Sequence, residues 1–419
     1  MKQGCLILFL LYSQIILFAQ QSWIQRQSFN QPARIQAVGF AIGGKGYIAT
    51  GASRVTGQPL RDMQEFDPAT NTWSYKSDLP EALRAGVAFT IGTKAYITTG
   101  AYSQGLNHTL FVWDQFSNTW STQSPFPAGQ GRMAAFGATV GNSGFVFGGF
   151  DASERALNDL WEFQESTNTW IRKKDNPGPG RCYAAGFVIG NKVYIGTGNN
   201  GTTYLRDFWA YDSFTDNWNR IPDFPGVPRT GAVAFTSGGR GYITGGIDKA
   251  ANLLRDCWEF DPMVNAWIEV SSFPGIPRSY GVSFAIHHAG YLAAGATRTG
   301  YLNELWEGYP SVMTTAIPKD DPLLSPVKIS PNPFFYRFFV MIRAPFTGSL
   351  ELTITDSYDR VVFRKSFQKD VEYIVRCYEI DDLPEGLFLF TVKDPTGQFN
   401  YKQTVIHKSF WTLTLLTSL

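Results

Sequence analysis

Short apolar runs, separated by glycine turns and polar loops, repeat along the first three quarters of the 419-residue chain. Residues 229–267 show one unit. Thr230 to Thr236 is a run of small residues with strand periodicity, and Gly238-Gly239-Arg240-Gly241 is a tight turn. Tyr242-Ile243-Thr244 reads as a second strand ending at Gly245-Gly246, and a polar loop runs from Ile247 to Arg255. Asp256 to Phe260 reads as a third strand. Asp261-Pro262 opens a turn, because proline presets φ and aspartate bonds its own backbone. Trp267 then lies on a fourth strand. The pattern predicts four short antiparallel strands per unit.

Three markers keep one period. Trp73, Trp120, Trp170, Trp218 and Trp267 recur at 47, 50, 48 and 49 residues. Gly51, Gly100, Gly149, Gly198, Gly246 and Gly295 recur at 49, 49, 49, 48 and 49. Arg34, Arg84, Arg132, Arg181, Arg229 and Arg278 recur at 50, 48, 49, 48 and 49. A period near 50 belongs to propeller-type repeat architectures. The first strand of every unit is rich in Ala and Gly, as in "AGVAFTI" and "TGAVAFTS". Strands crowded around a central axis need small side chains, whereas outer strands have room for Trp and Phe.

The Gly-Gly doublet followed by an aromatic pair such as Trp258 and Trp267 resembles the kelch repeat over residues 21–309. The doublet is strict at Gly148-Gly149 and Gly245-Gly246; elsewhere its first member is Thr50, Thr99, Thr197 or Ala294. The first aromatic is absent at Gln64 and replaced by Phe111. The resemblance implies an all-β, six-bladed kelch β-propeller. The sixth unit lacks a fourth strand, and Trp23 precedes Arg34 by 11 residues, as Trp73 precedes Arg84. Residues 21–29 are therefore expected to complete the last blade and remove an exposed edge.

Both ends of the chain carry further signals. Lys2, the apolar run Leu6 to Phe18 and Ala19 read as a signal peptide over residues 1–20, with Cys5 too early for lipid attachment. Residues 310–326 read as a linker. Residues 327–408 form about seven strand-like segments that suggest a small immunoglobulin-like β-sandwich. Pro331-Asn332-Pro333-Phe334, Asp356, Leu383-Pro384-Glu385-Gly386 with Phe388, and Lys402 to Lys408 resemble the C-terminal sorting domain of type IX secretion cargo in Bacteroidota. That resemblance implies the type IX secretion machinery as partner and a secreted or outer-surface location. An adhesion module is the alternative for this domain. The apolar tail 409–419 departs from the family pattern.

Composition narrows the chemistry. A net charge of +1 argues against general attraction to nucleic acid or anionic membranes. Cys182, Cys257 and Cys377 cannot pair completely and form no CxxC motif, so disulfides are not the expected source of stability. His108, His287, His288 and His407 are scattered, so neither a copper nor a zinc site is expected, and no cofactor is implied. No GxSxG, P-loop or DxDxDG calcium loop occurs, and the Gly-rich "GNNGTTY" at 198–204 reads as the end of a blade strand.

Topology puts the long, variable second-to-third strand loops on the face that carries the recurrent arginines. Arg34, Arg84, Arg132, Arg181, Arg229 and Arg278 are candidate anion ligands there, or structural ties to backbone carbonyls. Tyr102 and Tyr204, with Phe150 and Tyr301, are candidates for stacking on sugars or for packing under the loops. The expected function is a non-catalytic binding propeller for a glycan or protein. The alternative is a carbohydrate-active enzyme of the sialic-acid mutarotase kind, with Glu81, Asp175 or Asp223 as acid/base. A purely structural role at the cell surface is a third reading.

Overall fold

A computed structural model describes residues 23–308, apart from 128, 130 and 288, together with 327–330, 337–343, 348–369, 373–379, 386–396 and 400–407. The expected signal peptide, the linker, Pro331 to Phe334, Leu383 to Glu385 and the apolar tail lie outside the described residues. The described secondary structure is all β.

Residues 23–308 contain six four-stranded antiparallel sheets. The first consists of Val38–Ile42, Lys45–Ala49, Met63–Asp67 and Thr72–Lys76, paired in chain order. The next five begin at Val87–Ile91, Phe136–Val140, Ala185–Ile189, Val233–Ser237 and Val282–Ile286. Each of these innermost strands packs against the next, and the sixth packs against the first. The sixth sheet takes its outer strand from the other end of the chain: Trp23–Arg26 pairs with Leu305–Gly308, placing Trp23 opposite Gly308. Trp23 is fully buried, edge-on to Phe235 and Phe273.

The ring closes at backbone level. Ala85 N–H donates to Gln36 O, Ala134 to Ala85, Tyr183 to Ala134, Gly231 to Tyr183, Tyr280 to Gly231 and Gln36 to Tyr280, at 2.8 to 3.3 Å. All six residues have positive φ, between +48° and +63°. This turn splits the expected strand Thr230 to Thr236. Arg229–Thr230 pairs instead with Ile247–Asp248, inside the stretch expected to be a loop, and the long strand starts anew at Val233.

Side-chain size is matched across neighbouring sheets. Phe284, Phe89, Phe187 and Phe235 press on Gly46, Gly144, Gly241 and Gly290 of the following sheet, and a Cβ at any of these glycines would lie about 2.1 to 2.2 Å from the ring. Where the third sheet has Ala138 in place of the phenylalanine, the fourth has Val193 in place of the glycine, and the two share one core cluster. The fourth-strand tryptophans stitch the sheets together. The indole N–H groups of Trp73, Trp120, Trp170, Trp218 and Trp267 donate to Gln27, Ser77, Ser124, Lys174 and Pro222 carbonyls, in the chain leaving the preceding sheet.

Backbone geometry also explains the drift in the doublet. Its first member has φ between +54° and +70°, which Thr or Ala can adopt at moderate cost. Its second member has φ between +81° and +104°, and a Cβ on Gly51 would lie 2.7 Å from Ile35 O. Only glycine fits the second position, and glycine stands there in all six units.

The described residues between 327 and 407 form seven strands. Val327–Ser330, Arg337–Arg343 and Tyr373–Glu379 form one antiparallel sheet. Gly348–Thr355, Val361–Lys369, Gly386–Lys393 and Asn400–His407 form another. Val340 and Ile342 of the first share a buried core with Leu350, Leu352, Ile354, Phe388, Phe390 and Val392 of the second.

Trp23→Ala should lower the unfolding free energy of residues 23–308 by about 3–5 kcal/mol, as for other fully buried tryptophans. Urea denaturation followed by tryptophan fluorescence checks this. A loss below about 1 kcal/mol would mean that the outer strand is dispensable to the ring.

Candidate binding site at the channel mouth

Five of the six recurrent arginines are buried. Each precedes an innermost strand and reaches a carboxylate just before the third strand of its own sheet. Arg34 pairs with Asp62, Arg132 with Asp159, Arg181 with Asp207, Arg229 with Asp256 and Arg278 with Glu304, at 2.5 to 2.7 Å. The same guanidiniums donate to the carbonyls of Thr50, Gly148, Thr197, Gly245 and Ala294. Phe29, Phe126, Phe224 and Phe273 lie beneath four of them. The third-strand indoles of Trp161, Trp209, Trp258 and Trp306 donate to the same carboxylates.

Burial alone would push the Asp159, Asp207 and Asp256 carboxyls up. The arginine and indole donors outweigh it and hold all three below the usual aspartate value. The expectation that Arg34, Arg132, Arg181, Arg229 and Arg278 grip an external anion is therefore corrected. Their charge is neutralised inside the sheet, and they tie its first strand to its third.

Arg84 is different, because it is not the structural counterpart of the other five. Gly149, Gly198, Gly246 and Gly295 donate their N–H groups to Arg181, Arg229, Arg278 and Arg34 carbonyls, and Gly100 to that of Arg132; the corresponding bond from Gly51 goes to Leu83. Leu83 thus occupies the arginine position of the second sheet, and Arg84 follows it. The spacings of 50 and 48 around Arg84 are this one-residue shift. The whole ion-pair set is replaced in the second sheet: Thr109 stands where the others have a carboxylate, and Phe111 where four of them have tryptophan. Buried Asn107 takes over the arginine's bond to the doublet carbonyl, donating to Thr99 O at 3.0 Å. Among the described residues Arg84 alone of the six arginines makes no ion pair, and it is half-buried.

Just beyond these positions lies a cavity of about 140 Å³ on the ring axis. Two residues from each sheet line it, most of them Ala or Gly. The exceptions are Gln36, Tyr183 and Tyr280. Gln36 Nε2 donates to the Tyr183 hydroxyl at 2.6 Å, spanning from the first sheet to the fourth. The Tyr183 and Tyr280 rings meet edge to face at 4.8 Å. Burial keeps both phenols neutral, with further pressure on Tyr183 from Tyr280 and on Tyr280 from Tyr204; Tyr280 is pushed up to about 12. Arg84 acts in the opposite sense on Tyr183.

The remaining candidates are placed as follows. Tyr102 is half-buried, with its hydroxyl donating to Asn107 Oδ1 at 2.6 Å, so it packs under its loop. Tyr204 is half-buried and bridged to Asn199. No Asp or Glu lines the cavity. Glu81 is exposed, Asp175 pairs with Arg172, and Asp223 with Arg220. His108 and His287 are exposed, and no metal-ligating cluster occurs among the described residues. Cys182 and Cys257 are buried free thiols, and burial pushes both up.

The sequence reading missed Gln36, Tyr183 and Tyr280. The signal was present: the residue two after each structural arginine, or after Leu83, reads Gln, Ala, Ala, Tyr, Gly, Tyr. Large residues at a position otherwise held to Ala or Gly stand out.

Comparison with known proteins places this geometry. The description of the KLHDC2/KLHL20/DRC7 kelch-repeats domain matches residues 85–295. An N-acetylneuraminate epimerase of Haemophilus influenzae (strain PittEE) is 30% identical over 139 residues, 32% of this chain and 36% of that protein. One from Pasteurella multocida (strain Pm70) is 33% identical over 128 residues, 29% and 33% of the two chains. Kelch-like protein 35 of Mus musculus is 26% identical over 121 residues, 29% of this chain and 20% of that protein. The chain spans about a third of the length of the epimerases it matches. A solved structure titled "Structure of YjhT" superposes with a TM-score of 0.57 at 15% identity, covering 67% of this chain and 96% of that one, which is a likeness of fold.

Arg132→Leu should cost about 3–5 kcal/mol, because it leaves Asp159 buried without its partner. Adding Asp159→Thr, which gives the third sheet the second sheet's residues, should recover about half of that loss. A carboxyl held below its usual value contributes stability that is present above about pH 4 and lost as pH falls through its folded value. The gap between wild type and the double variant should therefore narrow from pH 7 to pH 3. Urea titrations at the two pH values decide it; a neutral single variant would remove the ion pair from the account.

Proposed function

The chain belongs to the kelch-repeat family, and from that premise we propose that it is a six-bladed, non-catalytic binding propeller that holds a glycan or protein on the face bearing the long second-to-third strand loops. The observation that carries the reading is the cavity on the ring axis, which offers neutral phenols and an amide but no carboxylate. General acid–base chemistry needs a titrating group within hydrogen-bond reach of substrate. The arrangement suits recognition better than turnover. Loops of varied sequence around a rigid ring are a common place for recognition.

The seven strands of residues 327–407, in two antiparallel sheets sharing a core, suit an immunoglobulin-like sandwich. Together with the sorting-domain resemblance, they support secretion by the type IX machinery, with release or display at the cell surface. The second reading, a sugar mutarotase, is favoured by the local identity to N-acetylneuraminate epimerases. It requires an acid/base, and Glu81, Asp175 and Asp223 are not among the cavity-lining residues.

One set of measurements separates the readings. The full chain, expressed in a host with type IX secretion, is expected outside the outer membrane, and the purified protein is expected to bind a ligand in a glycan array or a surface-protein pull-down. It should not accelerate anomer interconversion of N-acetylneuraminate followed by NMR. Acceleration would establish the mutarotase reading instead. Retention in the periplasm would remove the secretion reading, and the absence of any ligand would leave a structural role.

A further inference from the structure

We propose that the outer face of the four-stranded sheet of residues 348–407 docks a separate protein, one whose contact surface is apolar on one side and carries carboxylates on the other. The inference rests on the secretion reading above and names the surface by which the secretion machinery holds this chain.

The face follows from strand alternation. Every second residue of these strands turns into the core shared with the other sheet, and the residues between them face outwards. Register then orders the outward residues. At one end Glu351 stands opposite Lys393, and Arg364 opposite Thr353. At the other end Val361 stands opposite Thr355, and Thr355 opposite Leu389, with Leu387 beyond it on the same face.

Three observations converge there. The first is clustering. Among the described residues of 327–407, the large apolar side chains that are exposed are Tyr358 at 79%, Val361 at 48% and Leu387 at 56%. Two lie on this one face, and Tyr358 lies in the turn that joins Thr355 to Val361. Single exposed apolar residues are ordinary, whereas a group bordered by polar residues marks an interaction site.

The second observation is charge. The other end of the face carries Arg364, Lys393 and Lys402 against Glu351, three cations to one carboxylate, a net charge of +2. Glu351 lies 3.3 Å from Lys393 and 3.9 Å from Arg364, so its charge is already answered. A complementary partner therefore brings carboxylates, and a second copy of this chain brings the same positive excess.

The third observation is shape. The centre of the face is short and β-branched, with Thr353, Thr355 and Thr391. A recess of about 410 Å³ opens at the charged end, lined in part by Ser349, Glu351, Ser366 and Lys393. It has room for a side chain or loop tip of the partner. The serine hydroxyls and the lysine ammonium can donate to a carboxylate there.

The test is export of the full chain from a host with type IX secretion, read as the fraction outside the outer membrane, alongside the thermal midpoint and oligomeric state of the purified proteins. Val361→Ser combined with Leu387→Ser should lower the exported fraction by about tenfold, the scale on which an interface anchor acts. It should leave the midpoint unchanged, because both side chains are exposed. Arg364→Glu combined with Lys402→Glu should also lower export, and Leu387→Met should retain it. If the wild type and both double variants are exported alike, the surface fails and the secretion reading stands. If the wild type stays in the periplasm, both fail. A midpoint that falls in the serine variant, and equally in a chain ending at residue 408, would make the chain's own tail the occupant and overturn the proposal. A wild-type dimer that the serine variant dissociates would overturn it in favour of a second copy.

Discussion

Six peptide N–H groups, each donating to the carbonyl of the preceding sheet, form a closed circle around the axis, and residues 23–308 are arranged to permit it. The circle forces the backbone into the left-handed region at Gln36, Ala85, Ala134, Tyr183, Gly231 and Tyr280. A non-glycine residue there costs about 1–2 kcal/mol, so the surrounding packing must hold it. The circle also draws the innermost strands together, which fits the Ala and Gly residues around the axis and the pairing of phenylalanine with glycine across neighbouring sheets. Trp23–Arg26 completes the last sheet.

The buried arginines serve the same closure. Each fixes the entry to an innermost strand against the third strand of its sheet, with a carboxylate, a carbonyl and usually an aromatic ring around one guanidinium. The second sheet reaches that end without charge, through Leu83, Thr109, Phe111 and Asn107. An apolar replacement of a buried ion pair is often close to neutral in stability. Here it coincides with an arginine that has no ion pair among the described residues. A ring of equivalent units thereby acquires one distinct side, and Gln36, Tyr183 and Tyr280 break the symmetry at the same level.

Much of the repeat was legible, because period is a property of backbone geometry. The second glycine of each doublet is held by its φ, and the fourth-strand tryptophans by their bond to the preceding sheet. The site was harder to read. An arginine that recurs in every unit looks like a functional ring, yet a repeated role between equivalent strands is what gives a residue that regularity. The residues that distinguish the cavity occur once or twice, so periodicity hides them. The offset of Arg84 was visible in its spacings, but which neighbour faced the core depended on the pairing of Leu83 with Gly51, a contact between sheets.

The most direct test of the closed circle is native-state hydrogen exchange at its six amides, those of Gln36, Ala85, Ala134, Tyr183, Gly231 and Tyr280. If the circle is one cooperative unit, all six should exchange with the same opening free energy, equal to that of global unfolding of the ring. Opening free energies that differ sheet by sheet, with some of these amides exchanging far more readily than others, would contradict it.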